Sequence, residues 1–558
     1  SKDLTKNEER MSLPIMGKVQ SYENAWDVYA MSTYNTITSL AESKVNENVL
    51  YAGTDDGLIQ YTKNGGESWT KMTVDQLPNT PKTAFVNDIK ADLYDENTAY
   101  VALDNHKFGD YRPYLFKTTN GGESWVSISE GLPEGTLVWR LVQDHVNPNL
   151  LFLGTEYGVY VSLNQGGKWH KFSSGLPTIS VRDLAIQKRE NDLVIATFGR
   201  SFYVLDDYSP LRLINDESLA SEAVLFPPKK ALQYSQVYGG SGSSGGATFT
   251  AKNPPYGAVF SYYLKEGHTS LRSKRIRSEM SKNGDQSLLE KLAEKGYKTP
   301  SSIIDEDLKT LVKLTDSDKK KIKALKEVLI QQKNKDIPFP GWKDLDAERD
   351  ESKPEIVLVV KNKSGETVAQ LSQPLKKGLS RVNWYLNTVE PTVSNTNNKY
   401  NYYDVYQMAK PGSYTVSMFK RIDGELTALS EPQAFEVERI RKNTLTNPMA
   451  DKHDAYYKSI AELTKEIKTL EHEVNKSHKR VSAYEKNLKY IKENRASLTK
   501  EVYALRDEMN KLKREIGGSP SKAEIGEKDL LTLNDRLSNA KGGWSPSSYG
   551  PTILHMQS

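Results

Sequence analysis

The sequence predicts a mainly β protein with three parts. A partial β-propeller of about four blades is followed by a small immunoglobulin-like β-sandwich with a helical insertion, and then by a C-terminal α-helical coiled-coil segment. Three observations predict this order. A tight turn ending in tryptophan recurs at Thr62-Lys63-Asn64-Gly65-Gly66-Glu67-Ser68-Trp69, Thr118-Thr119-Asn120-Gly121-Gly122-Glu123-Ser124-Trp125 and, more loosely, Ser162-Leu163-Asn164-Gln165-Gly166-Gly167-Lys168-Trp169. Strand-like runs separated by hairpin turns resume from Tyr256, and a seven-residue apolar step marks the final stretch.

The tryptophan spacing matches one propeller blade of roughly 40–50 residues. Each copy reads as an apolar strand, a short polar turn, a second strand, and then the Asn-Gly-Gly turn and Trp. The first is Val49-Leu50-Tyr51-Ala52-Gly53-Thr54, Asp55-Asp56-Gly57 and Leu58-Ile59-Gln60-Tyr61. The second, Thr98-Ala99-Tyr100-Val101-Ala102-Leu103, has a longer turn at residues 104–113 before Tyr114-Leu115-Phe116. The third is Leu150-Leu151-Phe152-Leu153-Gly154-Thr155, Glu156-Tyr157-Gly158 and Val159-Tyr160-Val161. A fourth copy, Leu193-Val194-Ile195-Ala196-Thr197-Phe198-Gly199-Arg200 and then Ser201-Phe202-Tyr203-Val204-Leu205, lacks the tryptophan turn. β-Branched and aromatic residues punctuated by Gly and Asn are strand signals. The Gly pair supplies positive φ, and Asn or Thr side chains can bond the turn backbone. The Trp is expected to cover the edge between neighbouring blades. Residues 1–7 read as the tail of an outer strand, so the chain is expected to be the later part of a longer protein or to pair with a missing segment.

The propeller is expected at residues 1–212 and a linker at 213–255, with Gly239-Gly240-Ser241-Gly242-Ser243-Ser244-Gly245-Gly246 flexible by composition. The sandwich follows at 256–440, interrupted at about 279–335 by a charged, helix-favouring insertion. Its strands include Glu355-Ile356-Val357-Leu358-Val359-Val360, residues 379–386 and residues 412–418, with hairpin turns at Gly365 and Asp423-Gly424. In residues 450–540, Ile460, Ile467, Val474, Val481, Leu488, Val502, Met509 and Ile516 keep the seven-residue step, with Leu463, Leu470, Tyr484, Ile491, Leu498, Leu505 and Leu512 as companions. Ser477-His478 and Asn494-Arg495 are the two places where the helix can reverse into a hairpin, the alternative being an oligomerising coil.

Composition narrows the function. A net charge of +4 over 558 residues does not imply strong nucleic-acid steering, so no nucleic-acid partner is expected. No apolar run reaches the roughly 18 residues of a spanning helix. With no cysteine there are no disulfides, thiolate metal sites or cysteine nucleophiles. His453, His472 and His478 lie in or beside the helical segment, and no histidine pair has metalloprotease spacing, so no metal is expected. No Gly-rich phosphate loop or serine elbow is present, so no cofactor is expected.

The tryptophan turns resemble the Asp-box (BNR) repeat of sialidase-like and sortilin-type propellers, with Asn64, Asn120 and Asn164 at the aspartate position. In that repeat class the boxes staple the blade and are not catalytic. Over nearly all of the chain, the order of parts resembles a family of large bacterial exported proteins labelled glycosyl hydrolase or sortilin-like. The resemblance is carried by Leu13-Pro14-Ile15-Met16-Gly17, Gly53-Thr54-Asp55-Asp56-Gly57, Arg112-Pro113-Tyr114-Leu115-Phe116, Gly154-Thr155-Glu156, Leu205-Asp206-Asp207, Asn253-Pro254-Pro255-Tyr256-Gly257-Ala258 and Ala409-Lys410-Pro411-Gly412-Ser413-Tyr414. It implies export to the periplasm, the outer-membrane surface or beyond. It also implies a signal peptide and additional propeller repeats, and it supplies no catalytic residues.

Blade strands alternate in direction, so the turns between second and third strands should share the face opposite the Asn-Gly-Gly turns. That face gathers the ligand-binding candidates Asp55, Asp56, Asp104, His106, Arg112, Glu156, Tyr157 and Arg200. A sialidase arginine triad is not matched by Arg112, Arg140, Arg182 and Arg200. The expected role is a modular binding or scaffold protein whose propeller face recognises envelope proteins or glycan without turnover. An N-terminal propeller segment or a partner chain would complete the ring. The alternative is a glycoside hydrolase using Asp55, Asp56, Asp104 or Glu156, which requires two converging carboxylates, one with a raised pKa. A purely structural subunit, with the coil as its main interface, is the third reading.

Overall fold

The computed structural model describes residues 3–9, 13–15, 18–19, 34–234, 253–281, 340–389, 406–440 and 450–542. The Gly/Ser stretch 239–246 and nearly all of the insertion expected at about 279–335 lie outside these residues. The chain divides into two compact units, Ser1–Ser221 and Glu222–Ser558.

In the first unit a short pair, β1 (Pro14–Ile15) and β2 (Lys18–Val19), precedes four successive antiparallel sheets among the described residues. These are β3 (Ile37–Glu42), β4 (Leu50–Thr54), β5 (Leu58–Thr62) and β6 (Thr70–Thr73); β7 (Phe85–Ala91), β8 (Ala99–Asn105), β9 (Asp110–Thr118) and β10 (Val126–Ser127); β11 (Val138–Gln143), β12 (Leu151–Thr155), β13 (Gly158–Ser162) and β14 (His170–Phe172); and the three-stranded β15 (Val181–Gln187), β16 (Asp192–Thr197) and β17 (Phe202–Leu205). First strands lie beside first strands, β3 by β7, β7 by β11 and β11 by β15, which is the order of β-propeller blades. Apolar cores fill the gaps between successive blades: Tyr51, Ile59, Val86 and Ile89 in the first, Tyr100, Leu115 and Leu141 in the second, and Phe152, Val159 and Leu184 in the third. Two expectations differ. Residues 3–9 form no strand, although Gln60 donates its side-chain N–H to the Leu4 carbonyl. The turn at 104–113 is tighter than its length implies, because β8 runs to Asn105 and β9 begins at Asp110, leaving a 3-10 turn over His106–Phe108 and Gly109 between them.

The tryptophan turns close in the same way three times. Asn64, Asn120 and Asn164 Oδ1 accept from the backbone N–H of Ser68, Ser124 and Lys168 at 3.0, 3.0 and 2.9 Å. The hydroxyls of Thr62, Thr118 and Ser162 accept from Gly66, Gly122 and Gly166 N–H at 3.1, 3.0 and 2.9 Å. Gly122, at φ 94°, touches the previous blade so closely that a Cβ would lie 2.8 Å from the Tyr61 ring. Trp169 Nε1 donates to the Ile128 carbonyl of the preceding blade at 2.7 Å, so this Trp does bridge the gap; Trp125 is buried, whereas Trp69 remains partly exposed.

Polar links join the first strands. Each of them carries one extra residue opposite its partner strand, at Thr38, Asn87, Trp139 and Arg182. In the first two blades that residue bonds the next blade: Thr38 Oγ1 donates to Val86 O at 2.6 Å and Asn87 Nδ2 to Val138 O at 2.8 Å. The residues that follow, Ser39, Asp88, Arg140 and Asp183, form a second chain. Ser39 Oγ accepts from Ile89 N–H at 2.9 Å, and buried Asp88 accepts from Arg140 Nη1 at 2.8 Å and Leu141 N–H at 3.1 Å. Arg140 Nε lies 3.0 Å from Asp183 Oδ1. At the other end of the third blade, buried Asp144 accepts Arg212 Nε and Nη2, both at 2.8 Å, and the Tyr208 hydroxyl at 2.6 Å.

In the second unit, β18 (Ala223–Leu225), β20 (Ala258–Leu264) and β23 (Gly378–Trp384) form one sheet. The larger sheet runs β19 (Ala231–Gln233), β28 (Gln433–Arg439), β26 (Gly412–Ile422), β21 (Glu355–Asn362) and β22 (Thr367–Pro374), with β27 (Glu425–Ala428) also on β26. A third pair joins β24 (Asn387–Val389) to β25 (Tyr406–Met408). The two larger sheets share one core, in which Trp384 meets Tyr414 edge-on at 5.5 Å and Phe260 meets Phe435 at 5.4 Å. β18 and β19 lie in the stretch read as linker; at three residues each they are too short to show an alternation. Helices α1 (Leu271–Ser281) and α2 (Trp342–Asp350) are tied by a bidentate Arg275–Glu348 pair at 2.5 and 2.9 Å. Glu351 accepts the Leu271 N–H at the start of α1.

Helices α3 (Ala450–Asn487) and α4 (Arg495–Gly517) run antiparallel, with His478 Nε2 3.2 Å from Asn510 Oδ1 and Arg506 Nη1 3.3 Å from Glu485. The reversal falls at Asn494, whose φ of 52° is left-handed, and not at Ser477-His478. Ile460, Ile467, Val474, Val481 and Leu488 are buried, while the companions Leu463, Leu470, Tyr484, Leu498 and Leu505 are exposed. A single hairpin partner covers only one row of the seven-residue pattern. After a short helical turn at Pro520–Glu524, α5 (Leu533–Gly542) packs against both, with Leu537 and Ala540 buried.

Two outcomes test the blade unit. Arg140→Leu removes the hydrogen-bonded cation of buried Asp88 and leaves Lys90, 3.5 Å away, as its remaining one, so it should lower unfolding stability by about 1–3 kcal/mol, read from the denaturant midpoint. Burial pushes the Asp144 carboxyl up, but Arg212, Tyr208 and the Asn147 N–H outweigh it and hold it below its ordinary value. A lowered native pKa stabilises fully above the unfolded value of about 3.9 and is lost as pH falls through the native one. Thermal melts of Asp144→Asn should therefore show a lower plateau at neutral pH and a shallower loss of stability below about pH 4.

Candidate functional site

The extra residues of the third and fourth first strands are a tryptophan and an arginine, and they do something different from Thr38 and Asn87. The Arg182 guanidinium lies over the Trp139 ring, 3.7 Å from its centroid, and 5.5 Å from the centroid of exposed Phe198. Below them Glu156 Oε2 accepts the Trp139 indole N–H and the Ser180 hydroxyl, both at 2.9 Å, and lies 3.7 Å from Arg182 Nη2. Three blade segments thus fix one half-exposed cation on an aromatic base: the bulge of β11, the turn after β12 and the bulge of β15. The guanidinium covers the indole face, so that face is not open for stacking by a ligand.

The second blade extends this cluster. His106 meets Trp139 edge-on at 5.9 Å and Phe85 at 6.2 Å. Fully buried Asp104 accepts the His106 backbone N–H at 3.1 Å and bonds Nδ1 of the same residue's ring. Asp104 Oδ2 meets no hydrogen-bond partner among the described residues. Lys107 Nζ sits 5.0 Å over the Phe85 ring.

The remaining candidates are placed differently. Asp56 is buried and bonded to the Thr54 hydroxyl and to Lys6 N–H at 2.6 Å, so it anchors the segment at residues 3–9. Asp55 accepts the Thr36 N–H at 2.7 Å; burial pushes its carboxyl up, opposed by that N–H and by Lys107 and aided by Asp56. Arg112 forms a bidentate pair with Asp110 at 2.9 and 2.8 Å, its hydrogen bonds holding that carboxyl well below the ordinary range, and so clamps the start of its own strand. Tyr157 and Arg200 are exposed at their turns. Of the eight candidates, the fold draws Asp104, His106 and Glu156 into one contiguous cluster.

Trp139 and Phe85 were not singled out in the sequence, Phe198 was read only as part of the fourth blade copy, and Arg182 only as an arginine that matches no sialidase triad. A signal was present: Ile37-Thr38-Ser39-Leu40, Val86-Asn87-Asp88-Ile89, Val138-Trp139-Arg140-Leu141 and Val181-Arg182-Asp183-Leu184 share one pattern of apolar, extra, polar, apolar. Aligning the blades on it places Trp139 and Arg182 at the bulge.

No protein-family model matches the chain, and no curated protein matches it. Among solved structures the chain is similar to the GH74 enzyme of Niastella koreensis, at 15% identity and TM-score 0.26, over 32% of this chain and 29% of that one. It is similar to the GH74 xyloglucanase of Xanthomonas campestris at 18% identity and TM-score 0.26, over 32% of this chain and 29% of that one. It is also similar to YCF48 bound to D1 peptide, at 16% identity and TM-score 0.24, over 31% of this chain and 52% of that one. The chain therefore spans about a third to a half of the length of these proteins. The β-propeller assignment rests on the blade order and the cores between blades.

Proposed function

We propose that the chain is a modular binding protein of the cell envelope or exterior. Its propeller, of the Asp-box and sortilin-like kind, presents the Trp139–Glu156–Arg182–Phe198 cluster to a protein or glycan partner without turnover. An immunoglobulin-like sandwich and a coiled helical hairpin space or dock that propeller. The observation that carries the reading is the Arg182 guanidinium held between Trp139 and Phe198 above Glu156. A cation fixed in advance on rigid aromatic groups loses little freedom on binding and can donate outward to an acidic or carbonyl group.

The carboxylates support binding over hydrolysis. A glycosidase needs one protonated acid and one free base or nucleophile converging on a bond. Asp55, Asp56, Asp104 and Glu156 are instead engaged by the Thr36 N–H, by Thr54 and Lys6, by His106, and by Trp139 and Ser180.

The test uses the full chain against envelope extracts and a glycan array. Arg182→Gln and Phe198→Ala should each weaken binding about tenfold or more; Phe198 is largely exposed, so its variant should leave the melting temperature nearly unchanged, whereas Arg182→Gln also gives up the contacts with Trp139 and Glu156 and should lower it slightly. Unchanged binding in both would remove the site. Glycan cleavage that disappears in Glu156→Gln and Asp104→Asn would replace the proposal with a hydrolase.

A further inference from the structure

The helical end leaves one row of its seven-residue pattern uncovered. His478 beside Asn510 and Glu485 beside Arg506 fix the register of α3 on α4. Antiparallel helices meet about a two-fold axis, so the companion positions of both come to the same side of the seam. There Leu463, Leu470 and Tyr484 of α3 are 41%, 44% and 57% exposed, and Leu498 and Leu505 of α4 are exposed as well. Helix α5 lies elsewhere. Tyr456, Ile460 and Thr464 follow one line along α3; the Tyr456 hydroxyl donates to the Ala540 carbonyl at 2.6 Å, and Ile460 and Thr464 are buried. Leu463, next to Thr464 in sequence, falls outside that line and stays open.

Charge decides what the row can take. Exposed Glu466 and Glu473 on α3, and Glu501, Glu508 and Glu515 on α4, stand one turn from the row. Arg480 interrupts this line, and Lys476 lies 3.4 Å from Glu473. A second copy of the hairpin, laid row on row, would bring these acidic borders together. Residues 541–558, in contrast, contain no Asp or Glu and carry Lys541, Trp544, Ile553, Leu554 and Met556. They also start in the right place, because the Ala540 carbonyl is bonded beside the first turns of α3. From Tyr456 to Leu470 the helix rises about 21 Å, and residues 543–558 would span about 24 Å even if helical.

We propose that the row is the docking site of residues 543–558 of this same chain, seated along Leu463 and Leu470 with Trp544, Ile553 and Leu554 as apolar anchors. Those residues lie outside the described ones, and the argument for them is position, length and charge. Their tether to α5 makes the contact intramolecular, so an effective concentration on the order of millimolar lets a few anchors suffice. The acidic borders would then flank a segment free of carboxylates. Seating it also removes an apolar stripe from the surface of the helical end.

The experiment places a photoreactive phenylalanine analogue at position 470 of the full chain, and separately at 463. A control version carries it at 465, two residues past Leu463 and so on the far side of the helix. Chains grown with light and with heavy nitrogen are mixed before irradiation, and cross-linked peptides are sequenced. The expected result is a cross-link from 470 and 463 into residues 543–558, both peptides bearing the same isotope, and none from 465. Ile553→Glu combined with Leu554→Glu should lower its yield about tenfold, with Ile553→Leu retaining it. Far-UV circular dichroism should hold in these variants, since the buried seam of α3 and α4 is untouched. Cross-links that join light to heavy peptides, which identify a second copy, overturn the proposal. So do cross-links only to other segments, no cross-link at all, or an undiminished yield in the double Glu variant.

Discussion

Neighbouring propeller blades share no backbone ladder, so side chains must satisfy the polar groups where first strand meets first strand. In this chain that task falls to buried Asp88, which takes Arg140 on one oxygen and the Leu141 N–H on the other. The pair is affordable in the interior because both carboxylate oxygens are bonded and the guanidinium reaches a second aspartate, Asp183. Without Arg140 the joint would keep the Asn87–Val138 bond, but Asp88 would have Lys90, 3.5 Å away, as its remaining cation. The extra residue in each first strand is part of the same device, since it turns the following side chain toward the neighbouring blade.

That extra residue also links architecture to function. Thr38 and Asn87 spend it on carbonyls of the next blade. Trp139 and Arg182 stack on each other instead, with Glu156 and Ser180 beneath. One backbone irregularity, repeated at every joint, thus holds the first blades together and, in the last two, projects side chains onto the face. Residues at these positions can change without disturbing the ladder, because the bulge leaves them outside the paired register.

Local chemistry made the blades legible in the sequence. Gly65, Gly66, Gly121 and Gly122 all have positive φ, as their turns require, and Asn64 and Asn120 bond the turn backbone. The hairpin at Asp423-Gly424 and the helix reversal at Asn494 were readable for the same reason. The site was only partly legible. Asp104, His106 and Glu156 were named because they are polar residues in turns, but Trp139 and Arg182 are set by a register shift that becomes visible only when strands are paired. Asp55, Asp56 and Arg112 looked equally chemical and are consumed by local structure. The helical end shows the opposite failure: a clean seven-residue pattern gives two rows, and the hairpin buries one of them.

The tryptophan turns have a consequence for how this protein ages. Asn64-Gly65 and Asn120-Gly121 are the dipeptides in which an asparagine most readily loses its amide, because the small glycine lets its own nitrogen attack the side-chain carbonyl. Here the Gly65 and Gly121 N–H groups are donated to Asn48 O and Asn97 O at 2.9 and 2.7 Å. The carbonyl under threat is itself held by the Ser68 and Ser124 N–H groups. Nucleophile and electrophile are each committed elsewhere, and the ring closure would have to break both bonds. The bonds that shape the blade therefore also protect it chemically, and the protection lasts as long as the fold does.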